Sequence, residues 1–172
     1  MTLKNKKLFP AINILILLAF ILAGCWYGFT DKTGIPPDVR TVRLGPVEKN
    51  SPLDNIQLRQ RIADRLRQKI VGQTRLNQTN SDSADWDIRI SLDQYSPSTS
   101  AISNQQAVTN RLTVALHVTR NQRKDDNVKD YDVSRSFEFS ANLSLQQAEN
   151  SLMDEMTRTL TDEIFNKLFS DW

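Results

Sequence analysis

The sequence has a single cysteine and a single histidine, and only five glycines among its 172 residues. One cysteine permits no disulfide within the chain, so the fold must rest on its apolar core. His117, the lone histidine, has no second histidine or cysteine with which to bind zinc, and the sequence contains neither a Gly-rich phosphate loop nor a serine elbow. These absences predict a protein that is not an enzyme and that holds neither a cofactor nor a metal.

Two pairs of acids leave one rival open, a periplasmic hydrolase or metal-binding protein. Asp125 adjoins Asp126, and Asp85 lies close to Asp87. Calcium takes carboxylate ligands, but acids that face solvent at a turn and at a strand edge explain the same residues.

Residues 1–24 are typical of an export signal. Lys4, Lys6 and Lys7 precede an apolar run from Leu8 to Ala23, which ends in small residues. The run is too short and too interrupted for a membrane span, which needs about 20 apolar residues. Losing the lysines with the signal takes the formal charge from +2 to −1, so the basic balance of the precursor gives no support to nucleic-acid binding.

Cys25 follows Leu-Ala-Gly, a pattern that resembles the lipobox of bacterial lipoproteins, where a peptidase cuts before a lipid-modified cysteine. We interpret Cys25 as the lipid attachment site and residues 25–38 as a lipidated tether; the alternative is a plain signal peptide with an incidental cysteine. Two or more acyl chains anchor stably, because each buried methylene contributes about 0.8 kcal/mol. Trp26 stands where an aspartate would retain an enteric lipoprotein in the inner membrane, which favours the outer membrane.

Residues 39–172 are predicted to form a single α/β sandwich domain. The alternating stretch Val39–Leu44 indicates a short strand that Gly45 and Pro46 end or bend. Ser51 and Pro52 then predict a helix start, with Gly72 at the helix end. Apolar residues follow that start at helical spacing: Ile56, Leu58, Ile62, Leu66 and Ile70.

Three strands are predicted next. Trp86–Asp93 alternates between apolar and polar residues, residues 96–105 indicate a loop, and Val108–Arg120 alternates again up to the charged turn Asn121–Asn127. In the third strand Arg135 falls at an inward position, which indicates either a bulge or an opening to solvent.

A last helix begins at the capping box of Ser144 and Gln147. The order is therefore β-α-β-β-β-α. Because each strand has one apolar face, the pattern predicts an α+β two-layer sandwich, with a mixed four-stranded sheet and two helices packed on one face. The first two strands should be parallel and the last three should form an antiparallel meander. One polar sheet face would remain open.

That open face holds the candidate binding residues. Arg89 and Arg111 lie on neighbouring strands, with Thr113 and His117 beside them. Guanidinium groups bind phosphate bidentately, so a basic face would suit an anionic lipid headgroup. The alternative is that Arg89 pairs with adjacent aspartates and merely keeps the sheet soluble.

In order and spacing, the lipobox, tether, capped helix, three-strand meander and long final helix resemble the LptE family, in the form of Bacteroidetes-type bacteria. The likeness includes the aromatic run Cys25–Thr30, the strand Asn110–Val114, and the ending Ile164–Lys167 with Trp172. The resemblance implies a non-enzymatic outer-membrane lipoprotein on the periplasmic side. It would sit as a plug in the large β-barrel LptD, assist its assembly, and help lipopolysaccharide to reach the cell surface.

The same resemblance makes the predicted loop and the polar face candidate contacts for the barrel or for lipopolysaccharide. The candidate residues are Arg89, Arg111, Thr113, His117, Ser98 and Ser100. Two other envelope roles remain open: an accessory lipoprotein such as a secretin pilot or barrel-assembly factor, and a surface-displayed lipoprotein.

Overall fold

The computed structural model describes residues 34–103 and 106–169, so the predicted export signal, Cys25 and the first part of the tether lie outside the described residues. The elements are, in chain order, β1 (Thr41–Lys49), α1 (Ile56–Gln73), β2 (Asn77–Gln78), β3 (Trp86–Ser103), β4 (Gln106–Gln122), a 3-10 turn (Arg123–Asp125), β5 (Asn127–Ser140) and α2 (Leu145–Phe169).

The α+β class is confirmed, but the sheet has five strands in the order β2-β1-β3-β4-β5, not the predicted four. The additional strand has two residues, Asn77 and Gln78, which pair in parallel with Thr41 and Val42. So short a pairing leaves no hydrophobic periodicity, and the polar connector around it gave no sign of a strand.

The predicted strand directions are confirmed: β1 and β3 are parallel, and β3, β4 and β5 form an antiparallel meander. Since β1 and β5 point the same way, the helices that follow them run parallel to each other. Ion pairs join the two helices at matching positions, Arg61 with Asp154 at 2.7 Å and Lys69 with Asp162 at 2.6 Å.

One face of the sheet packs against both helices, as predicted. The buried strand residues alternate along the chain: Val42, Leu44, Trp86, Ile88, Ile90, Leu92, Leu112, Val114, Leu116, Val118, Val133, Phe137 and Phe139. They meet the buried helix residues Leu58, Ile62, Leu66, Ile70, Met156, Leu160, Ile164 and Leu168. Removing this apolar surface from water is the main stabilising contribution to the fold, at about 25 cal/mol per Å². Ile56 and Val108 were expected inside but are 60% and 46% exposed.

The ends of α1 differ from the prediction. Asn55 is the N-cap, and its side-chain oxygen accepts from the N–H of Leu58 at 3.0 Å. Ser51 is buried instead, and its Oγ accepts from the N–H of Tyr95 at 3.1 Å. The chain still follows β3 at this point, so the helix starts later than the Ser-Pro pattern indicated. Gly72 is not the cap, because the helix continues to Gln73.

The segment predicted as a loop at 96–105 is strand within the described residues. β3 runs to Ser103 and β4 starts at Gln106, with a ladder of paired residues between them. The backbone hydrogen bonds of an antiparallel ladder form whatever the side chains are. A pair of strands that is polar on both faces therefore has no apolar alternation from which a strand could be predicted.

The strand register decides between the alternatives that the prediction left open at two positions. The pairing of β1 with β3 shifts between Leu44 and Val47, so Gly45 and Pro46 bend the strand and do not end it. The pairing of β4 with β5 is continuous, so the bulge considered for Arg135 is wrong. Its side chain is 53% exposed and pairs with a carboxylate of α2, which agrees with the opening to solvent.

The capping box that opens α2 is confirmed. The N–H of Ser144 donates to the side-chain oxygen of Gln147 at 2.9 Å, and the N–H of Gln147 donates to Ser144 Oγ at 3.3 Å. Each residue thus satisfies a donor of the other at the helix start.

The polar sheet face as the candidate functional site

The six candidate residues all lie on the sheet face that points away from the helices. Cross-strand register places Arg111 between Ser98 and Glu138, and Thr113 beside Ser136. Residues paired in this way have Cβ atoms about 5 Å apart, so their side chains interact directly. Four of the candidates therefore meet at one end of the face, and the other two lie further along it.

Arg111 is the centre of the first group. Its Nη2 donates to Ser100 Oγ and to Glu138 Oε1, both at 3.0 Å, and Ser100 donates to the same carboxylate at 3.1 Å. The pKa of Glu138 is lowered mainly by the hydrogen bond from Arg111 and, to a smaller extent, by the hydrogen bond from Ser100. Thr113 and Ser136 share a hydrogen bond of 3.1 Å. The guanidinium is thus already paired, with hydroxyl groups around it.

His117 lies further along β4, between two aspartates of β5. Its Nδ1 is 2.8 Å from Asp132 and its Nε2 is 3.5 Å from Asp130. The hydrogen bond with Asp132 is the largest cause that raises the pKa of His117, and the charges of Asp132, Asp130 and Asp93 act in the same direction. The imidazole therefore takes up a proton more readily here than in water, and both of its N–H groups then have an acceptor.

Arg89 pairs with Asp87, as one of its two interpretations predicted. Its Nε and Nη2 each lie 3.1 Å from Asp87 Oδ2. Asp87 also binds Arg43 of β1 at 2.7 Å, and that hydrogen bond is the main cause of its lowered pKa.

Carboxylates outnumber guanidinium groups on this face. Its acids on β3 and β5 are Asp87, Asp93, Asp130, Asp132 and Glu138. Its arginines on β3 and β4 are Arg89 and Arg111, and each is paired with an acid. This excess of carboxylates does not favour binding of a simple anion to the face. Contact of these residues with lipopolysaccharide stays a prediction.

β3 and β4 continue past the rest of the sheet as a two-stranded arm. Pairing with β1 ends at Leu92 and pairing with β5 ends at Thr109, whereas β3 and β4 still pair at Ser103 and Gln106. No charged residue occurs in 94–110, in a chain that is 24% charged. The arm, which includes Ser98 and Ser100, is therefore polar but uncharged.

A buried tyrosine fixes the base of this arm. Tyr95 is 2% exposed, its hydroxyl donates to Glu149 of α2 at 2.6 Å, and its N–H donates to Ser51 Oγ. Burial is the main cause that raises the pKa of Tyr95, so the hydroxyl keeps its proton and remains a donor. The arm is thus held by the loop before α1 and by the first turns of α2.

Of the acid pairs considered for calcium, the one at the strand edge includes Asp85, whose carboxylate binds backbone N–H groups. Asp85 Oδ2 accepts from the N–H groups of Arg40 and Thr41 at 2.9 and 2.8 Å, and these contacts lower its pKa. Over the described ranges, no group of three or more histidine, cysteine, aspartate or glutamate side chains is placed to hold a metal ion.

Sequence reasoning missed two parts of this region. The sequence gives no sign of the contact between Arg43 and Asp87, because the two residues lie 44 positions apart and neither periodicity nor a motif joins them. Tyr95 fell at the edge of the predicted loop, and only its aromatic bulk in a run of small polar residues signalled an anchored position.

Comparison with known proteins decides the family. The sequence profile of LptE, described as lipopolysaccharide assembly, matches residues 39–168. The chain belongs to the LptE family. No curated protein matches the sequence.

Among solved structures, the crystal structure of rare lipoprotein B from Shewanella oneidensis is similar at 14% identity, with a TM-score of 0.51 over 73% of this chain and 92% of that one. The solution structure of lipoprotein B from Nitrosomonas europaea has 13% identity and a TM-score of 0.47 over 76% and 79% of the two chains. The Shewanella likeness shows a shared fold. As an LptE protein, the chain is a lipopolysaccharide-assembly lipoprotein of the cell envelope. None of the helices in the described part of the chain is long and apolar enough to cross a membrane.

Proposed function

We propose that this LptE protein docks as a plug in an LptD-type β-barrel of the outer membrane, assists its assembly, and helps to deliver lipopolysaccharide to the cell surface. One observation carries the proposal: both helices pack on one face of the sheet, and no element of the described residues covers the other face. Lumens of outer-membrane barrels are polar, so a polar sheet face fits such a wall.

The pairing of charges on the face supports enclosure. Arg111 is paired with Glu138, Arg89 with Asp87, and His117 with Asp132. A buried charge without a partner is strongly destabilising, whereas paired charges can enter an enclosed space at much lower cost. Hydroxyl groups on the same face would replace their hydrogen bonds to water with hydrogen bonds to the barrel. They belong to Thr113, Ser98 and Ser100.

The edge of β1 also suits a plug, which must not add a strand to the barrel wall. Among the described strands, β2 pairs with β1 only at Thr41 and Val42, so the rest of the outer edge of β1 is free. Pro46 and the bulge beside it interrupt that edge. Arg59 covers the same edge, since its Nη1 donates to the carbonyl of Val47 at 2.6 Å. Proline, bulges and charged groups are the usual means by which edge strands avoid further pairing.

The lipid on Cys25 would hold the plug to the outer membrane from the periplasmic side. Labelling with radioactive palmitate tests this anchor: the wild type should take up label and Cys25→Ser should not. Uptake of label by the Cys25→Ser variant, or its absence from the wild type, would contradict the assignment.

Affinity purification of the full-length chain after mild detergent extraction tests the partner. We expect an LptD-type barrel to co-purify. Arg111→Glu should lower its recovery, because it sets two acids side by side on the docking face. Arg61→Glu is the matched control, since Arg61 is about as exposed and also has one acid partner, but lies on the helix layer.

Three outcomes would overturn the proposal. They are recovery of no barrel together with normal surface lipopolysaccharide after depletion, equal loss of the barrel in both variants, and recovery of a secretin or barrel-assembly complex. The third outcome would favour the accessory lipoprotein.

A further inference from the structure

A second polar site lies at the end of the sheet face remote from the arm, where β1 begins. It is a cleft of about 260 Å³ between β1, β3 and the turn that joins β4 to β5. The side chains that matter for its chemistry are Arg43, Asp87, Arg89, Asn121, Arg123 and Asp126. Asp82 completes the charged lining, so three guanidinium groups face three carboxylates. A cleft with no net charge suits a ligand with no net charge.

Two of the three arginines have donors to spare. Arg89 uses Nε and Nη2 on Asp87, which leaves Nη1, and its side chain is 68% exposed. The side chain of Arg123 donates from Nη2 to the carbonyl of Asp82 and has no other partner in the described part of the chain. Arg43, by contrast, is held by both Asp87 and Asp82. Arg89 and Arg123 line the same cleft, and both therefore have N–H groups available to a phosphate bound there.

The cleft also has acceptors without donors. Asp126 forms no ion pair among the described residues, and it lies at the turn in a left-handed conformation, with φ of 47°. Asn121 also lines the cleft, and its Oδ1 is covered by protein yet has no hydrogen-bond donor among the described residues. A small molecule with both a phosphate and an N–H cation would pair its phosphate with the unused guanidinium donors and its cation with the unpaired carboxylate.

We propose that this cleft binds a phosphoethanolamine group, with its phosphate on Arg89 and Arg123 and its primary ammonium on Asp126. A phosphodiester of this kind carries one negative and one positive charge, which matches the neutral lining. A choline group fits less well, because its trimethylammonium has no N–H to donate to the carboxylate. The group occurs both in soluble form and as a phospholipid headgroup.

The test is an NMR titration of the labelled full-length chain in nonionic detergent. Glycerophosphoethanolamine is the phosphoethanolamine probe and glycerophosphocholine is the phosphocholine probe, since both are soluble phosphodiesters with no net charge. We expect phosphoethanolamine to shift the Nε–H signals of Arg89 and Arg123 and the side-chain amide of Asn121 in a saturable way. Phosphocholine should bind about tenfold more weakly, which corresponds to the loss of one charge-assisted hydrogen bond. No saturable shift, or equal binding of the two probes, would overturn the proposal.

Two variants and two controls locate the site. Asp126→Asn keeps a residue that tolerates the left-handed conformation, and Arg89→Gln changes an exposed side chain, so neither should disturb the fold. Each should weaken phosphoethanolamine binding about tenfold. Asp132→Asn and Arg111→Gln make the same charge changes elsewhere on the face and should leave binding unchanged. Unchanged binding in the two cleft variants, or equal weakening in the two controls, would contradict the assignment.

Nanodiscs then separate the two sources of the group. The same three signals should move when phosphatidylethanolamine is added to phosphatidylcholine discs, if the ligand is a lipid headgroup. Shifts with the soluble probe alone would retain the site and assign it to a soluble phosphoethanolamine ligand.

Discussion

The guanidinium carbon of Arg120 lies 4.3 Å from the centre of the Trp86 ring, and both side chains are buried. Arg120 also donates from Nη1 to the carbonyl of Leu168 at 3.2 Å, and no carboxylate among the described residues pairs with it. The negative end of the α2 dipole and the face of the indole ring therefore take the place of a counter-ion.

This arrangement predicts an order of stability for substitutions of Arg120. Arg120→Lys should lower the free energy of unfolding by about 2 kcal/mol, because the compact ammonium loses the stacking on Trp86 but is still buried. Arg120→Met should cost less, since it fills similar space and removes the buried charge. Urea denaturation of the three proteins measures the order. A lysine variant as stable as the wild type would contradict it.

His117 predicts a pH dependence with a defined sign. Its folded-state pKa lies above the ordinary value of 6.5, chiefly through the hydrogen bond with Asp132. A raised pKa stabilises the fold at pH values below the unfolded pKa, and the contribution is lost as pH rises through the folded pKa. The stability difference between the wild type and His117→Gln should therefore be largest in mild acid and should vanish in alkaline solution.

NMR titration of the imidazole checks the cause directly. Asp132→Asn should bring the pKa of His117 down towards its ordinary value. A stability difference that does not change with pH, or a pKa unaffected by Asp132→Asn, would contradict this account of the His117 contacts.

Two threonines of α2 form a matched pair. Thr161 is fully buried, and its hydroxyl has no hydrogen-bond partner in the described part of the chain. Thr157 is 7% exposed, but its hydroxyl donates to the carbonyl of Met153 at 2.7 Å. Thr161→Val should raise the free energy of unfolding by about 1 kcal/mol, because valine has the same shape without an unsatisfied hydroxyl. Thr157→Val should not stabilise, and thermal unfolding that ranks the two variants the other way would refute the argument.

The sequence predicts correctly those helices and strands that have one buried face and one exposed face. Leu58 to Ile70 on α1 and Trp86 to Leu92 on β3 face one apolar layer, so their spacing gives both the element and its inner face. The arm around Ser98 has no buried face, so its sequence predicts a loop where the structure has strands. Which residue caps α1 depends on where the chain after β1 separates from β3. Tertiary packing sets that point, so the local sequence does not identify Asn55 as the N-cap.

The candidate site divides in the same way. Arg111, Thr113 and His117 were placed on one face correctly, because alternation along a single strand decides it. The cleft of Arg43, Arg89 and Arg123 could not be found, since its residues come from three separate strands or turns and share no local pattern.

Arg135 shows how the other free edge of the sheet is protected, and this leads to a final prediction. Among the described strands β5 pairs only with β4, and its core-side positions on either side of Arg135 are the buried Val133 and Phe137. A charged residue at an inward position of an edge strand prevents another strand from pairing there. Arg135 lies half-exposed at that position and pairs with Glu163 of α2.

Arg135→Val should therefore make the protein self-associate, because it completes an apolar stripe along an unpaired edge. Sedimentation of the full-length chain in detergent, over a range of protein concentrations, should show larger species than the wild type shows. Arg135→Lys should behave as the wild type does, since it keeps an inward charge. Glu163→Gln separates the two explanations: it breaks the ion pair but keeps the arginine, so it should not self-associate. Self-association of Glu163→Gln to the same extent as Arg135→Val would assign the effect to the ion pair and contradict a role for Arg135 in guarding the edge.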